Sequence, residues 1–237
     1  RADQRGIPTH TAFLSPAEQA MSADLLMAAA PGQGVLHGGY ADAERKLWGF
    51  LPDWLDEDLW LAGEDCPLAA LEVKTPKGAK LTHRDYLGSL MGLGITREKI
   101  GDILIGETGA QVIVLRETLP ILLAQWEKAG RYPVTLTPLP LDQLTPTPGE
   151  TKEVRATVAS VRLDAVVSAG FSIPRSRAAD LIRGGRVMVN HRPCEKADKV
   201  VEAGDVLTCR GLGKCVLTEI GGTSKRGRTI LTIQRYL

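Results

Sequence analysis

A chain of 237 residues, 43% hydrophobic and close to neutral at +1, is large enough for two or three small domains with ordinary cores. No apolar run reaches the ~18 residues of a membrane-spanning helix, and four cysteines (Cys66, Cys194, Cys209, Cys215) are too few for a disulfide framework at this length. The near-neutral total conceals a split: residues 1–150 hold 13 Lys+Arg against 20 Asp+Glu, and residues 151–237 hold 16 against 8.

In chain order, Ser15-Pro16-Ala17-Glu18 opens a helix, with Ser15 as N-cap and Glu18 closing a capping box, and Pro31-Gly32 ends it. Residues 34–40 read as a short strand running into a turn, and 42–47 as a second, charged helical piece. Trp48, Phe50, Trp54 and Trp60 fill the core of a small N-terminal α/β unit, residues 1–65, or dock it on the next domain. From Cys66 the order becomes regular. Residues 68–74 are strand-like, 82–92 helical with Thr82 as N-cap and Asp85 at N3, 99–105 and 111–115 strands joined by a Gly106–Gly109 turn, 117–129 a helix stopped by Gly130, and 134–139 a last strand. The sum over 66–148 is βαββαβ, the ferredoxin-like (RRM-like) arrangement. Its strands hold no Phe, Tyr or Trp, so base stacking on that sheet is not expected.

Thr145-Pro146-Thr147-Pro148-Gly149 cannot propagate a helix or a central strand, and the sign of the charge changes there, so a boundary is placed at this linker. The last domain, 153–237, reads as two helices and a small sheet. The helices are 161–169 and 175–183, the second with Ser172 as N-cap, Pro174 near its first turn and Gly184-Gly185 after it. Strands follow at 186–190, 206–210, 215–220 and 229–234. The fold class expected for the whole chain is α+β.

Segregated positive charge is the footprint of a polyanion binder, because each Lys or Arg beside a phosphate releases a condensed counterion; a solvated basic face is the plain alternative. The helix at 175–183 offers unpaired N–H groups and a positive dipole end to a phosphate, with Arg175, Ser176 and Arg177 at its start and Arg183 at its end. Arg162 precedes it, Arg186 and Asn190 follow it, Arg210 and Lys214 flank a glycine turn, and Lys225, Arg226 and Arg228 crowd a second one. Asp164 is suited to orienting an arginine or capping a helix. Cys209 and Cys215 lack the Cys-x-x-Cys partner of a zinc site, so no metal is assigned. His83, beside Arg84 and Asp85, reads as polar structure at a helix start. No Ser/His/Asp set, P-loop or dinucleotide fingerprint is present, so no catalytic residue, cofactor or small-molecule substrate is assigned.

Arg162-Leu163-Asp164, Gly170-Phe171-Ser172, Ser176-Arg177-Ala178-Ala179-Asp180-Leu181-Ile182, Gly184-Gly185-Arg186-Val187-Met188-Val189-Asn190, Gly204-Asp205 and Arg210-Gly211 resemble, in this order, the RNA-binding domain shared with ribosomal small-subunit protein four. That resemblance implies an RNA face at Arg162, Ser176, Arg177 and Arg183. Upstream, Phe13-Leu14-Ser15-Pro16-Ala17-Glu18-Gln19, Gly38-Gly39-Tyr40-Ala41-Asp42-Ala43-Glu44-Arg45-Lys46, the stretch from His83-Arg84-Asp85 to Gly94-Ile95, and Arg97-Glu98-Lys99-Ile100-Gly101-Asp102-Ile103 resemble the YlmH-like family. Its photosynthetic branch carries a photosystem II label. The resemblance covers nearly the whole chain. It implies three domains in this order, RNA as partner (ribosomal RNA, transfer RNA), association with the large ribosomal subunit, and quality control of stalled nascent chains. Arg84, Arg97 and Lys99 are candidates for a second RNA contact. The expected protein is a non-catalytic RNA binder, cytoplasmic, or of the plastid stroma if a transit peptide has been removed. The rivals are an RNA-modifying enzyme using His83 and Asp85, and a photosystem adaptor bound through Trp48, Trp54 and Trp60.

Overall fold

The computed structural model describes residues 6–29, 34–146 and 149–237. The chain divides into two compact units, Arg1–Thr147 and Pro148–Leu237. In the first, β1 (Thr9–His10), β2 (Val35–His37) and β3 (Leu47–Phe50) form an antiparallel sheet in the order β1-β3-β2. Helix α1 (Pro16–Ala29) starts on the expected capping box: the Glu18 carboxylate accepts from the Ser15 amide at 2.7 Å and its hydroxyl at 2.6 Å. The expected stop at Pro31-Gly32 lies outside the described residues. A short helix not anticipated from sequence, α2 (Glu57–Ala62), is capped by Asp56.

The expected helix at 42–47 does not form. The Asp102 carboxylate accepts the Glu44 and Arg45 amides (2.7 and 3.0 Å), and the buried Arg45 guanidinium donates to the carbonyls of Phe13, Arg97 and Ile100. Amides committed to a carboxylate so far along the chain cannot make helical bonds, so this segment is a loop and Leu47 begins a strand.

Around it lies β4 (Leu68–Lys74), α3 (His83–Gly92), β5 (Ile100–Gly106), β6 (Gly109–Leu115), α4 (Leu119–Gln125), the small hairpin β7 (Lys128–Ala129) and β8 (Tyr132–Pro133), and β9 (Thr135–Leu139). The sheet order is β5-β6-β4-β9, antiparallel throughout. The helix expected at 117–129 is shorter. It ends at Gln125 because the buried Trp126 turns inward, its Nε1 donating to Ser89 Oγ and the Lys128 carbonyl, and Gly130 then reverses the chain at φ +55. One face of the sheet packs Leu71, Val73, Val112 and Val114 against Tyr86, Leu90, Leu122 and Trp126 of the helical side. The other packs Leu68, Ala70, Ile113 and Leu115 against Phe13, Leu47 and Trp60. Residues before 66 thus share a core with the sheet and cover its second face. Trp60 is buried and Trp54 is 65% exposed, so the tryptophans do not act as one cluster.

In the second unit, β10 (Thr151–Val158) leads to α5 (Leu163–Phe171), α6 (Arg175–Arg183), β11 (Val187–Val189), β12 (Arg192–Pro193), β13 (Val206–Cys209), β14 (Gly213–Thr223) and β15 (Thr229–Tyr236), in a sheet ordered β10-β15-β14-β13-β11-β12. Strand β10, paired with β15 along its whole length, was not anticipated. Helix α5 starts two residues later than expected, because Arg162 lies in an extended bridge to Val200 and the Leu163 and Asp164 amides bond to Lys199 and Ala197. Ser172 is not the N-cap of α6. It closes α5 in the left-handed region (φ 55), with the Ile173 amide donating back to the Ser168 carbonyl at 3.0 Å, and Pro174 holds the N-cap position. Leu163, Val166, Ile182, Val187, Leu217, Leu231 and Ile233 lie in one core under both helices.

Candidate nucleic-acid interface

The sequence-assigned cations fall into distinct groups. Arg175 donates to Asp164 through Nε to Oδ2 at 2.9 Å and Nη2 to Oδ1 at 3.1 Å, and Arg162 Nε approaches the same carboxylate at 3.4 Å. Asp164 is almost fully buried. Burial opposes its ionisation, but the Arg175 hydrogen bonds and the charges of Arg175 and Arg162 outweigh it and hold the carboxyl below its ordinary range. Arg175 is correspondingly harder to deprotonate. The three side chains form a clamp between the starts of α5 and α6, which leaves Arg162 and Arg175 about half exposed and partly neutralised. Arg183 pairs with the exposed Asp180 at 3.3 Å. Asn190 is committed to a turn: it sits at φ 49, donates to Asp205 at 2.7 Å and accepts the Val206 amide.

Ser176 and Arg177, in the first turn of α6, are exposed, and Arg177 has no ion pair among the described residues. Arg186 leans on the β13–β14 turn, where its Nη2 donates to the Arg210 carbonyl at 3.0 Å and the Arg210 amide returns a bond to the Arg186 carbonyl. Arg177 and Arg186 are both close enough to lower the Cys209 thiol, although burial, the larger effect, raises it. Arg177 and Arg186 therefore lie within electrostatic reach of Cys209, and Arg186 touches the backbone of the exposed Arg210 next to it. Lys214, one strand position on, lies over the Tyr236 ring at 4.1 Å. Lys225 and Arg226 occupy the exposed tip between β14 and β15, and Arg228 reaches from it to the Thr157 carbonyl at 2.7 Å. The tip and the Arg210 turn lie at opposite ends of β14. The cations do not make one compact cradle; they border the unit at two ends. Strand β10 adds Lys152 and Arg155 at the sheet edge, the latter paired with Glu153. The alternation of Val154, Ala156 and Val158 was the signal for it.

In the first unit, Arg84 is exposed at the start of α3, but Arg97 and Lys99 are not free cations. Lys99 pairs with Glu117 at 2.9 Å, and Arg97 is half-buried, with Nη1 shut off from solvent and without a hydrogen-bond partner among the described residues. Asp85 is consumed in the cap of α3, accepting the Thr82 amide and hydroxyl at 2.7 Å each, and those bonds hold its carboxyl low. His83 is depressed first by burial and then by Arg97. This pair has the geometry of a helix start, with no contact between a base and an acid. Among the described residues no cluster of His, Cys, Asp and Glu is placed to hold a metal, and no helix is long and apolar enough to cross a membrane.

Comparisons with known proteins bear on this arrangement. Residues 62–143 match a family model described as "Putative RNA-binding domain in YlmH", and residues 161–207 match the S4 domain. The ribosome-associated protein quality control protein P2 of Bacillus subtilis (strain 168) is 36% identical over 231 residues, which is 95% of this chain and 86% of that protein. A solved structure, cell division protein ylmH from Streptococcus pneumoniae, is 24% identical with a TM-score of 0.47, over 60% of this chain and 84% of that one.

Proposed function

This chain belongs to the YlmH family, and from that premise we propose that it is a non-catalytic, cytoplasmic RNA-binding protein of the translation apparatus. It binds structured ribosomal or transfer RNA through its C-terminal unit and works at the large ribosomal subunit. The observation that carries this reading is the set of exposed cations without a carboxylate partner among the described residues, Arg177, Arg186, Arg210, Lys225 and Arg226, on a matched S4 domain and its adjoining hairpin. Arg forks and a helix N-terminus read phosphate placement, so recognition is by RNA shape with few base contacts. The similarity to the ribosome-associated quality control protein of Bacillus subtilis supports a role in ribosome-associated quality control. The strand order β5-β6-β4-β9 supports a ferredoxin-like central domain over 66–148.

Crosslinking in cells followed by sequencing of the bound RNA tests the partner, with enrichment of ribosomal and transfer RNA expected. A salt titration tests the site. The triple variant Arg177→Ala, Arg186→Ala, Arg210→Ala is expected to lower the slope of log K against log salt by roughly 2 to 3. Unchanged affinity and slope would place the RNA face elsewhere.

A further inference from the structure

The first unit is acidic as a whole, yet its cations are not spread evenly. Between Val73 and Asp85 stand Lys74, Lys77, Lys80 and Arg84 with no carboxylate among them, and Lys128 and Arg131 lie over forty residues later. The fold brings the two stretches together. The β4–α3 connection and the β7–β8 hairpin meet where a side chain at Gly130 would lie 3.2 Å from Leu81 and 3.7 Å from Asp85. The register Lys74↔Thr135 puts the last residue of β4 beside the first of β9, directly after that hairpin. Lys77, Lys80, Arg84, Lys128 and Arg131 are all exposed. None is ion-paired with a carboxylate among the described residues.

Four carboxylates share this end of the sheet. Glu72 is paired with Lys74 at 3.2 Å, and Asp85 is held in the α3 cap with the Arg84 charge close by; Glu107 and Glu127 are exposed and make no ion pair among the described residues. Arg131 also lies over the Tyr132 ring at 5.1 Å, which presents an aromatic edge beside the charges. The opposite possibility for this unit, RNA laid across the sheet, is closed. One sheet face is packed by the helices and the other by Phe13, Leu47 and Trp60.

We propose that this end of the first unit, built from Lys77, Lys80, Arg84, Lys128 and Arg131, is a second contact for the phosphate backbone of structured RNA. The inference rests on the reading that the protein binds RNA, and it uses residues apart from the C-terminal face. A phosphate backbone fits because the cations are long, exposed and without an ion pair among the described residues, and because counterion release rewards several of them at once.

The test measures affinity of the full chain for unfractionated transfer RNA from 50 to 200 mM KCl. It compares the wild type, the fivefold alanine variant at these positions, and the C-terminal triple variant described above. The fivefold variant should lower the salt slope by about 2.7 if three phosphates are lost, so that the wild type loses roughly 40-fold more affinity than the variant across this range. Should the fivefold variant lose its native circular dichroism, the pairs Lys77→Ala/Lys80→Ala and Lys128→Ala/Arg131→Ala are measured instead, with about 1.8 expected for each. A slope lowered only by the C-terminal triple overturns this inference alone; one lowered only here overturns the C-terminal site alone. A wild type without RNA affinity overturns both. If polyglutamate binding is lost in the fivefold variant while the RNA slope is unchanged, the partner is an acidic polypeptide and the RNA assignment falls.

Discussion

Asp164→Asn is the most informative single substitution. The carboxylate takes two hydrogen bonds from Arg175, one long one from Arg162, and the Ala165 amide at 2.9 Å. Asparagine keeps an oxygen for the Ala165 amide but loses the charge, and its own amide hydrogens would face the Arg175 donors. Two charge-assisted bonds in a buried setting contribute ~1.5–3 kcal/mol each. Both guanidiniums are about half exposed and regain water, so the net loss is taken as about 2 kcal/mol. Hydrogen exchange reads this directly in the full chain. Amides of α5 and α6, including Ala178 and Gly184, should lose protection by roughly 30-fold at neutral pH. The sign with pH follows from the lowered carboxyl. Asp164 stabilises the fold above its unfolded pKa of about 3.9, and that contribution is lost as pH falls through the lower folded value. The gap between wild type and variant should therefore be constant above about pH 5 and close on acidification. Unchanged protection at neutral pH, or a gap that widens in acid, would refute the clamp.

Two further outcomes are expected. Arg45→Met leaves the Phe13, Arg97 and Ile100 carbonyls without their donor and should cost about 3 kcal/mol; urea unfolding followed by tryptophan fluorescence checks it, and a loss below about 1 kcal/mol would show that water replaces the guanidinium. Iodoacetamide at pH 8 should label the half-buried Cys194 in the native protein and spare Cys66, Cys209 and Cys215. Burial raises those three thiols, Cys215 to about 12; mass spectrometry of labelled peptides that finds Cys215 modified first would contradict the packing.

What the sequence made legible was local. The Ser15/Glu18 and Thr82/Asp85 capping boxes are four-residue patterns, and both bond as the spacing implies. The strand at Leu68–Lys74 and the turn at Gly106–Gly109 declare themselves by apolar content and glycine. Failures came where a distant side chain decided. Asp102 unmakes a helix at 42–47, and Trp126 shortens another by seeking Ser89. Strand β10 alternates Val154, Ala156 and Val158 against Glu153, Arg155 and Thr157, but its exposed, charged first residues masked that period. At the candidate site, net charge singles out the C-terminal unit and could not show which cations are already spoken for. The capture of Arg175 by Asp164 depends on an eleven-residue separation closed by the α5–α6 turn.

The two basic surfaces make a thermodynamic claim that neither makes alone. If both engage one RNA at once, each removes its own counterions, so the salt slopes lost in the two variants should add in the combined variant. The second engagement is then intramolecular, and its loss costs far more than a factor of two in affinity. If the surfaces instead serve as alternative sites on separate RNAs, removing either leaves the other intact. Each variant then loses one class of binding site, with that site's own slope, and the remaining site binds as it does in the wild type, so the two losses are not coupled. Stoichiometry separates the cases independently: simultaneous engagement predicts one RNA per chain in the wild type, and alternative sites predict two.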